Sequence, residues 1–163
     1  MNEINSHREL SLEQIVSFLK ADRQEENELF HRSATLKQAY VGNNVYLRGL
    51  IELSNICEKD CYYCGIRCSN RQVHRYRLTH EEVMSTLLFA HEKGFGSVAI
   101  QSGERSSPTF VRQIDKILRD AKKVTGGEIG ITLSCGEQTK ETYRRWFESG
   151  AERYLLRIES SSE

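Results

Sequence analysis

The feature that most restricts the fold of this chain is a regular alternation of strand-like and helix-like segments from residue 45 onward. Runs rich in β-branched and other apolar residues predict strands over 45–53, 97–100, 128–133 and 153–158. Between these runs, apolar residues recur at helical spacing and predict three amphipathic helices. This alternation is typical of βαβ units, in which successive strands run parallel.

Local signals predict where each of these helices begins and ends. Ser or Thr begins a helix because its side-chain oxygen accepts a hydrogen bond from a free N–H of the first turn, and Gly commonly ends one. In the third helix, Tyr143, Trp146 and Phe147 are expected to face inward. The predicted helices begin near Thr79, Ser107 and Thr139 and end at Gly94, Gly126 and Gly150.

The fold predicted from this order is α/β, with a parallel (βα) half-barrel that corresponds to the N-terminal part of a TIM-type barrel. Right-handed crossovers would cover one face of the sheet with helices. A closed eightfold barrel takes ~250 residues, so we expect residues 45–163 to form a (βα)4 partial barrel, truncated relative to a complete one. Two helices, the first with a capping box of Ser11 and Gln14 and the second starting near Gln24, predict a helical extension over 1–44.

The loop after the first predicted strand contains three closely spaced cysteines. Cys57, Cys61 and Cys64 lie within eight residues, so that one loop can surround one face of an iron-sulfur cube. Cysteine thiolates are the usual protein ligands of such clusters. Three thiolates on a four-iron cluster leave one iron with an open position, which indicates a site that binds a ligand, such as an amino-acid chelate, rather than one that only passes electrons.

Alternatives to this cluster remain open at the level of the residues. Cys57, Cys61, Cys64 and Cys68 together have the composition of a structural zinc site or of a fully ligated electron-transfer cluster, as in a non-enzymatic four-cysteine metal-binding module. The fifth cysteine, Cys135, is expected to be a small, partly buried residue.

Charge and hydropathy exclude some classes of partner. The 23 basic and 23 acidic residues balance, so that no strong field would attract nucleic acid or anionic lipid. The first ten residues lack the apolar core of a signal peptide, and no window has the length of a bilayer span. We therefore expect a cytoplasmic protein with no nucleic-acid or membrane partner, in which clustered cysteines bind metal rather than form disulfides.

The three-cysteine loop, with Tyr63 before its last cysteine, resembles the signature of the radical-SAM superfamily. Further segments, in the same order and spacing, resemble the HydE-type maturases of [FeFe]-hydrogenase over roughly residues 10 to 163, and biotin synthase and methylornithine synthase are more distant relatives. These segments are Arg48-Gly-Leu-Ile-Glu-Leu-Ser-Asn-Ile-Cys57, Cys61-Tyr-Tyr-Cys-Gly-Ile-Arg67, Arg75-Tyr-Arg-Leu-Thr79, Gln101-Ser-Gly-Glu104, Thr132-Leu-Ser-Cys-Gly-Glu137 and Arg153-Tyr-Leu-Leu-Arg-Ile-Glu159.

The resemblance implies a radical-SAM enzyme with a [4Fe-4S] cluster and S-adenosyl-L-methionine as cofactors. In this family the open iron chelates the amino and carboxylate groups of S-adenosylmethionine, and one electron from the cluster cleaves the sulfur to C5′ bond to give a 5′-deoxyadenosyl radical. The implied small-molecule substrate is a cysteine-bound iron carbonyl-cyanide complex on the way to the hydrogenase H-cluster. The implied protein partners are an electron donor such as a ferredoxin or flavodoxin, and other hydrogenase maturation proteins.

The resemblance also assigns roles to single residues. Cys57, Cys61 and Cys64 are the implied cluster ligands, and Cys68 is interpreted as a spectator because a fourth ligand would close the cluster to the cofactor. The other implied cofactor contacts are Glu104 with the methionine ammonium group, Gly103 with the nearby backbone, Glu159 with the ribose hydroxyls, Arg157 with the carboxylate, Ser134 as a polar contact and Tyr63 near adenine.

Several of these roles have a plainer alternative, and the alternation of Arg157 and Glu159 is also typical of an exposed strand edge. Glu104 also fits a solvated loop carboxylate, Ser134 a turn cap and Tyr63 a core aromatic. The basic run of Arg67, Arg71, Arg75 and Arg77 is expected to form ion pairs in a solvated loop rather than bind an anion. Radical-SAM mutases and sulfur-inserting enzymes remain alternatives for the reaction.

Overall fold

The computed structural model describes residues 10–157. Backbone contacts divide the chain into a first unit that ends at Val45 and a second unit that begins at Tyr46. The first unit contains α1 (Leu12–Leu19) and α2 (Arg23–Val41), neither of which buries a side chain. Within residues 10–157, no helix combines the length and the apolar character needed to cross a bilayer.

Both helices of the first unit begin with a capping box. Ser11 accepts a hydrogen bond from the Gln14 N–H, while the Gln14 side chain accepts one from the Ser11 N–H. Asp22 and Glu25 form the same reciprocal pair at the start of α2. Two backbone donors that lack a helical acceptor are thereby paired at each start.

The second unit is a parallel sheet with its strands in the order β1-β2-β3-β4 and a helix between each strand and the next. The predicted α/β alternation, with four parallel strands preceded by two helices, is confirmed. The elements are β1 (Gly49–Ser54), α3 (His80–Glu92), β2 (Ser97–Ser102), α4 (Pro108–Val124), β3 (Gly130–Ser134), α5 (Lys140–Glu148) and β4 (Arg153–Tyr154).

The three helices of this unit begin where the sequence predicts. Thr79, Ser107 and Thr139 each have extended backbone, and the side-chain oxygen of each accepts from the N–H three residues later. Because these caps act within one turn, they can be recognised without knowledge of the tertiary structure.

The core lies between one face of the sheet and the helices. Alternate strand residues point to this face, whereas Leu50 and Glu52 of β1 point to the opposite face and are exposed. The buried strand residues are Ile51, Leu53, Val98, Ile100, Ile131 and Leu133, and the helices cover them with Val83, Leu87, Phe110, Ile114, Ile117, Leu118, Ala121 and Trp146.

Three strands are shorter than predicted, and one of them, β3, was predicted over 128–133 but covers Gly130–Ser134. The first strand was predicted to begin at residue 45, but β1 begins at Gly49, which is also the first residue of β1 paired with β2. Val45, Tyr46 and Leu47 lie before this ladder and are largely exposed. The fourth strand was predicted over 153–158, but the β3–β4 ladder ends at Tyr154, and residue 158 lies outside the described residues.

One of the three aromatic residues expected to face inward from α5 does not do so. Trp146 is buried, and its indole N–H donates to the Val111 carbonyl (3.1 Å). Tyr143 and Trp146 both pack against Tyr154 of β4, with ring centroids 4.7 and 6.1 Å apart. Phe147 is displaced by about 100° around the helix from Trp146 and is 69% exposed.

Helices α4 and α5 are also joined by a buried carboxylate. Asp115 is only 7% exposed, and it accepts hydrogen bonds from the Arg145 guanidinium (3.0 Å) and the Ser149 hydroxyl. Arg119 lies 3.4 Å from the same carboxylate. The hydrogen bond from Arg145 is the main reason that the pKa of Asp115 falls from 3.8 to about 2.

Candidate metal and cofactor site

The loops that follow β1 and β2 meet at the carboxyl end of the sheet. The Gly103 N–H donates to the Ser54 carbonyl (2.9 Å), and the Glu58 N–H donates to the Glu104 carbonyl (2.9 Å). These two bonds align the first residues of the two loops beyond the last strand pair. The carboxyl end is where parallel (βα) barrels place their active sites.

The cysteine loop starts directly at this junction. Cys57, Cys61 and Cys64 are all half-buried. The Cys64 N–H donates to the Cys61 carbonyl (2.9 Å), which closes a tight turn between the second and third cysteines. The Lys59 N–H lies 3.4 Å from the Cys57 sulfur as a hydrogen-bond donor, which is the kind of contact that tunes a cluster-ligating thiolate.

The chemistry of these donors fits an iron-sulfur cluster. Among residues 10–157, no three Cys, His, Asp or Glu side chains lie close enough to share one metal ion. Thiolates that bind a cuboidal cluster contact different iron atoms, so they do not need to meet at a single point as the ligands of tetrahedral zinc do. Cys68, the fourth cysteine of the alternative zinc site, is exposed.

Glu104 already binds an ammonium group in this structure. Its carboxylate is 19% exposed and lies 3.2 Å from the Lys59 Nζ, and its second oxygen accepts from the Glu137 N–H (3.0 Å). The hydrogen bond and the charge of Glu104 raise the pKa of Lys59. Lys59 also lies 3.4 Å from the Glu137 carboxylate. The Glu104 carboxylate is thus fixed on one side by the backbone and pairs with a cation on the other.

Two glycines allow the loops to approach this closely. A Cβ at Gly103 would overlap the Ile56 carbonyl and lie 2.9 Å from the Cys57 Cβ. The glycine therefore has a packing role under the cysteine loop, in addition to the cofactor contact that the resemblance implies. Gly136 has a φ of +76°, and a Cβ there would overlap Cβ and Cγ of Glu104.

Tyr154 fixes the loop after β3, and sequence reasoning missed it. The Tyr154 hydroxyl donates to the Gly136 carbonyl (2.6 Å) and accepts from the Cys135 N–H (3.2 Å). Burial raises the pKa of Tyr154 above its usual range. Cys135 was expected to be partly buried, but it is fully buried, and burial raises the pKa of its thiol to about 11. Ser134, also buried, is the last residue of β3.

The remaining predicted cofactor contacts are spread over the open face of the sheet and the loop surface. Arg157 donates to the Gln101 side chain (3.0 Å), and Gln101 donates to the Glu52 carboxylate (3.2 Å), so that the three form a polar row across the open face. Tyr63 lies in the cysteine loop and is 71% exposed. Glu159 lies outside the described residues.

Two arginines of the basic run, Arg67 and Arg75, bind backbone carbonyls, whereas ion pairs in a solvated loop were expected. Arg67 donates to the Cys64 carbonyl (3.1 Å). Arg75 donates to four carbonyls of the cysteine loop and its flanks. These backbone contacts shape the loop itself. Hydrogen bonds from Ser69 are the main reason that the pKa of Asp60 is lowered, and the charge of Arg67 also helps to lower it.

Comparison with known proteins identifies similar sequences and structures. Residues 51–163 match the family model of the Radical SAM superfamily. The [FeFe] hydrogenase maturase subunit HydE of Thermotoga maritima is 39% identical over 142 residues, which cover 86% of this chain and 39% of that protein. The 3-methylornithine synthase of Methanosarcina acetivorans is 28% identical over 151 residues, which cover 91% of this chain and 42% of that protein.

A solved structure has the same fold. The crystal structure of methylornithine synthase superposes with a TM-score of 0.82 at 25% identity, covering 93% of this chain and 44% of that chain. The present chain thus spans about two fifths of the length of the relatives it matches.

Proposed function

Because the chain belongs to the radical SAM superfamily, we propose that it takes part in the reductive cleavage of S-adenosylmethionine at a [4Fe-4S] cluster. Cys57, Cys61 and Cys64 would each bind one iron, leaving the fourth iron to the amino and carboxylate groups of the cofactor. When bound, the cluster and S-adenosylmethionine together supply one-electron chemistry that the protein side chains lack.

The observation that carries this proposal is the pairing of the three-thiol loop with Glu104. The loop and Glu104 are joined backbone to backbone through Glu58 (2.9 Å). Glu104 pairs with the Lys59 ammonium, so its position and charge suit the ammonium of a methionine moiety beside the loop. Charge-assisted bonds of this kind are among the stronger polar contacts available to a protein.

The other side chains would orient the cofactor. Gly103 directly follows β2 and Ser134 ends β3, and these two residues would offer backbone and hydroxyl contacts. Arg157 would pair with the cofactor carboxylate, Glu159 would bind the ribose hydroxyls, and Tyr63 would pack near adenine. These roles rest on the family resemblance and on the order of the loops at the carboxyl end of the sheet.

The reaction that we favour is assembly of the [FeFe]-hydrogenase H-cluster. Its support is the 39% identity to a HydE maturase subunit over 86% of the chain. The substrate would be a cysteine-bound iron carbonyl-cyanide complex. A ferredoxin or flavodoxin would deliver the electron, and other hydrogenase maturation proteins would be the partners of the product.

A radical-SAM mutase related to methylornithine synthase is the second candidate. It is favoured by the TM-score of 0.82 and by the 28% identity over 91% of the chain. A sulfur-inserting reaction has weaker support, in the 24% identity to a biotin synthase. All of these candidates share the cluster and the cofactor and differ in the substrate.

The test of the shared chemistry is anaerobic reconstitution of the chain with iron and sulfide. We expect about four irons per chain, a reduced cluster visible by electron paramagnetic resonance, and a change in that spectrum when S-adenosylmethionine is added. Cys64→Ala should abolish the cluster, whereas the matched variant Cys68→Ala should retain it. Loss of metal from both variants, or a spectrum that does not change when S-adenosylmethionine is added, would favour the four-cysteine metal-binding module.

The two substrate classes are separated by a product assay with a reconstituted protein that contains this chain within a complete barrel. Adding that protein to a hydrogenase maturation mixture that lacks only the HydE-type component should restore hydrogen evolution. If the mutase alternative is correct, restoration fails and methylornithine forms instead from an amino-acid precursor.

A further inference from the structure

The Arg75 guanidinium is the most densely bonded side chain of the candidate site. Its Nη1 donates to the carbonyls of Asn55 (2.6 Å) and Ile66 (2.8 Å). Its Nη2 donates to the carbonyls of Arg67 (2.7 Å) and Asn70 (3.2 Å). Each terminal nitrogen thus uses both of its hydrogens, and the planar fork of arginine is the geometry that makes four such bonds possible.

These four carbonyls stand on both sides of the three cysteines. Asn55 precedes Cys57 by two residues, and Ile66 follows Cys64 by two residues. A loop held at both ends has fewer conformations than a loop held at one end. Because Arg75 binds the backbone on both sides of the three cysteines, it restricts the positions that they can adopt. The bonds go to the backbone, which means that they fix the path of the loop.

Arg75 is itself fixed by the loop entrance that it binds. The Asn55 side chain donates to the His74 carbonyl (2.7 Å) and accepts from the Tyr76 N–H (2.8 Å), so it bonds to the residues on both sides of Arg75. The Asn55 carbonyl in turn accepts from Arg75. This reciprocal pair of Asn55 and Arg75 is called the loop clamp below.

The loop clamp leaves Arg75 unsuited to anion binding. With its four terminal hydrogens bonded to carbonyls, only the Nε hydrogen remains for another acceptor. A phosphate or carboxylate would have to replace two existing bonds to gain a bidentate contact. The arrangement is that of a structural organiser of the loop.

We infer that Arg75 is the positioning residue of the cysteine loop, which fixes the path of residues 55–70 before any metal binds. This inference rests on the proposed function only in taking the loop to be the cluster site. The shape of the loop without metal is a property of the protein alone, and it can be measured on the metal-free chain.

The first experiment is hydrogen exchange of the metal-free chain in three forms: wild type, Arg75→Lys and Arg71→Lys. Lysine keeps the charge but cannot bridge four carbonyls, and Arg71 is an exposed arginine of the same segment. We expect amides of residues 55–70 to exchange ~10-fold faster in Arg75→Lys, as the loss of a charged hydrogen bond predicts, while β3 amides and the Arg71→Lys chain match wild type. The inference would be overturned if amides of residues 55–70 exchanged at the same rate in Arg75→Lys as in wild type, or if the faster exchange extended to β3.

The second experiment is rescue of Arg75→Ala with millimolar methylguanidinium. The free guanidinium should restore slow exchange over residues 55–70 and slow the loss of iron from reconstituted protein to a chelator, and it should do neither in Arg71→Ala. Absence of rescue would count against the inference. Wild-type protein that binds no cluster refutes the proposed function and leaves the exchange result standing. Equal iron retention in wild type and in Arg75→Ala without methylguanidinium refutes only the inference.

Discussion

Replacement of Gly136 by alanine is expected to disable Glu104 without touching it directly. Gly136 has a φ of +76°, and a Cβ at this position would overlap Cβ and Cγ of Glu104 and lie 2.5 Å from its Oε2. Because the overlapped atoms are near the backbone end of the glutamate, the side chain cannot avoid the new methyl by moving only its tip. Glu104 would have to leave its position beside the cysteine loop.

Gly94 provides the matched control for this substitution. It has a φ of +73°, and nothing lies within 4 Å of a Cβ built there. Gly94→Ala therefore carries only the backbone cost of a side chain in the left-handed region, ~1–2 kcal/mol. Gly136→Ala carries the same cost together with the displacement of Glu104.

The difference between the two variants can be estimated. Displacing Glu104 breaks its hydrogen bond from the Glu137 N–H, and a bond to a charged acceptor contributes about 1.5–3 kcal/mol. In protein with cluster and cofactor, Glu104 would also lose its bond to the methionine ammonium. A loss of that size corresponds to roughly 10- to 150-fold weaker binding of S-adenosylmethionine.

Two measurements check the reasoning. Thermal unfolding of the metal-free chains should give Gly136→Ala a lower melting temperature than Gly94→Ala by several degrees. Titration of S-adenosylmethionine into reconstituted, reduced protein should show weak binding for Gly136→Ala and wild-type affinity for Gly94→Ala. Equal affinity in the two variants would refute the view that Gly136 supports Glu104.

Three further predictions concern other parts of the second unit. The pKa of Asp115 is lowered from 3.8 to about 2, so ionised Asp115 stabilises the fold by ~2 kcal/mol above pH 4, and this stabilisation is lost as the pH falls through both values. In urea denaturation, the free energy of unfolding of Asp115→Asn should lack this part of the pH dependence. The same dependence on pH in Asp115→Asn and wild type would contradict the prediction. Lys59→Met should bind S-adenosylmethionine more tightly in a spectroscopic titration, because the competing ammonium on Glu104 is gone, whereas unchanged affinity would mean that the two cations do not compete. After desalting, reconstituted Gly103→Ala should retain less iron than Gly96→Ala. A Cβ at Gly103 overlaps the backbone of the cysteine loop, whereas a Cβ at Gly96 has no atom within 4 Å. Equal iron content would show that the loop can move away from the new methyl group without losing iron.

The parts of the fold that sequence predicts well depend on short-range interactions. The caps at Thr79, Ser107 and Thr139 act within one helical turn, and the apolar spacing of the helices reflects a single buried face. The start of β1 and the end of β4 depend instead on the reach of the neighbouring strands. Residues 45–48 have no partner in β2, which begins only at Ser97, and nothing in their own sequence indicates this.

The same distinction applies to the site. The three cysteines could be predicted as candidate ligands from their spacing, whereas the contacts around Glu104 join segments far apart in the chain. Lys59 and Glu137 approach Glu104 from two different loops, and the Tyr154 hydroxyl reaches Gly136 from β4. The role of Glu159 stays a prediction.

The loop clamp consists entirely of protein groups, and this has a consequence for the life of the cofactor. Exposed iron-sulfur centres are destroyed by oxygen, and a receptor that collapsed with them would have to be refolded or degraded. Here the ordering of residues 55–70 is achieved when the polypeptide folds, so an oxidised and emptied chain keeps its receptor ready. Repair of the proposed cluster would then need only fresh iron, sulfide and reductant.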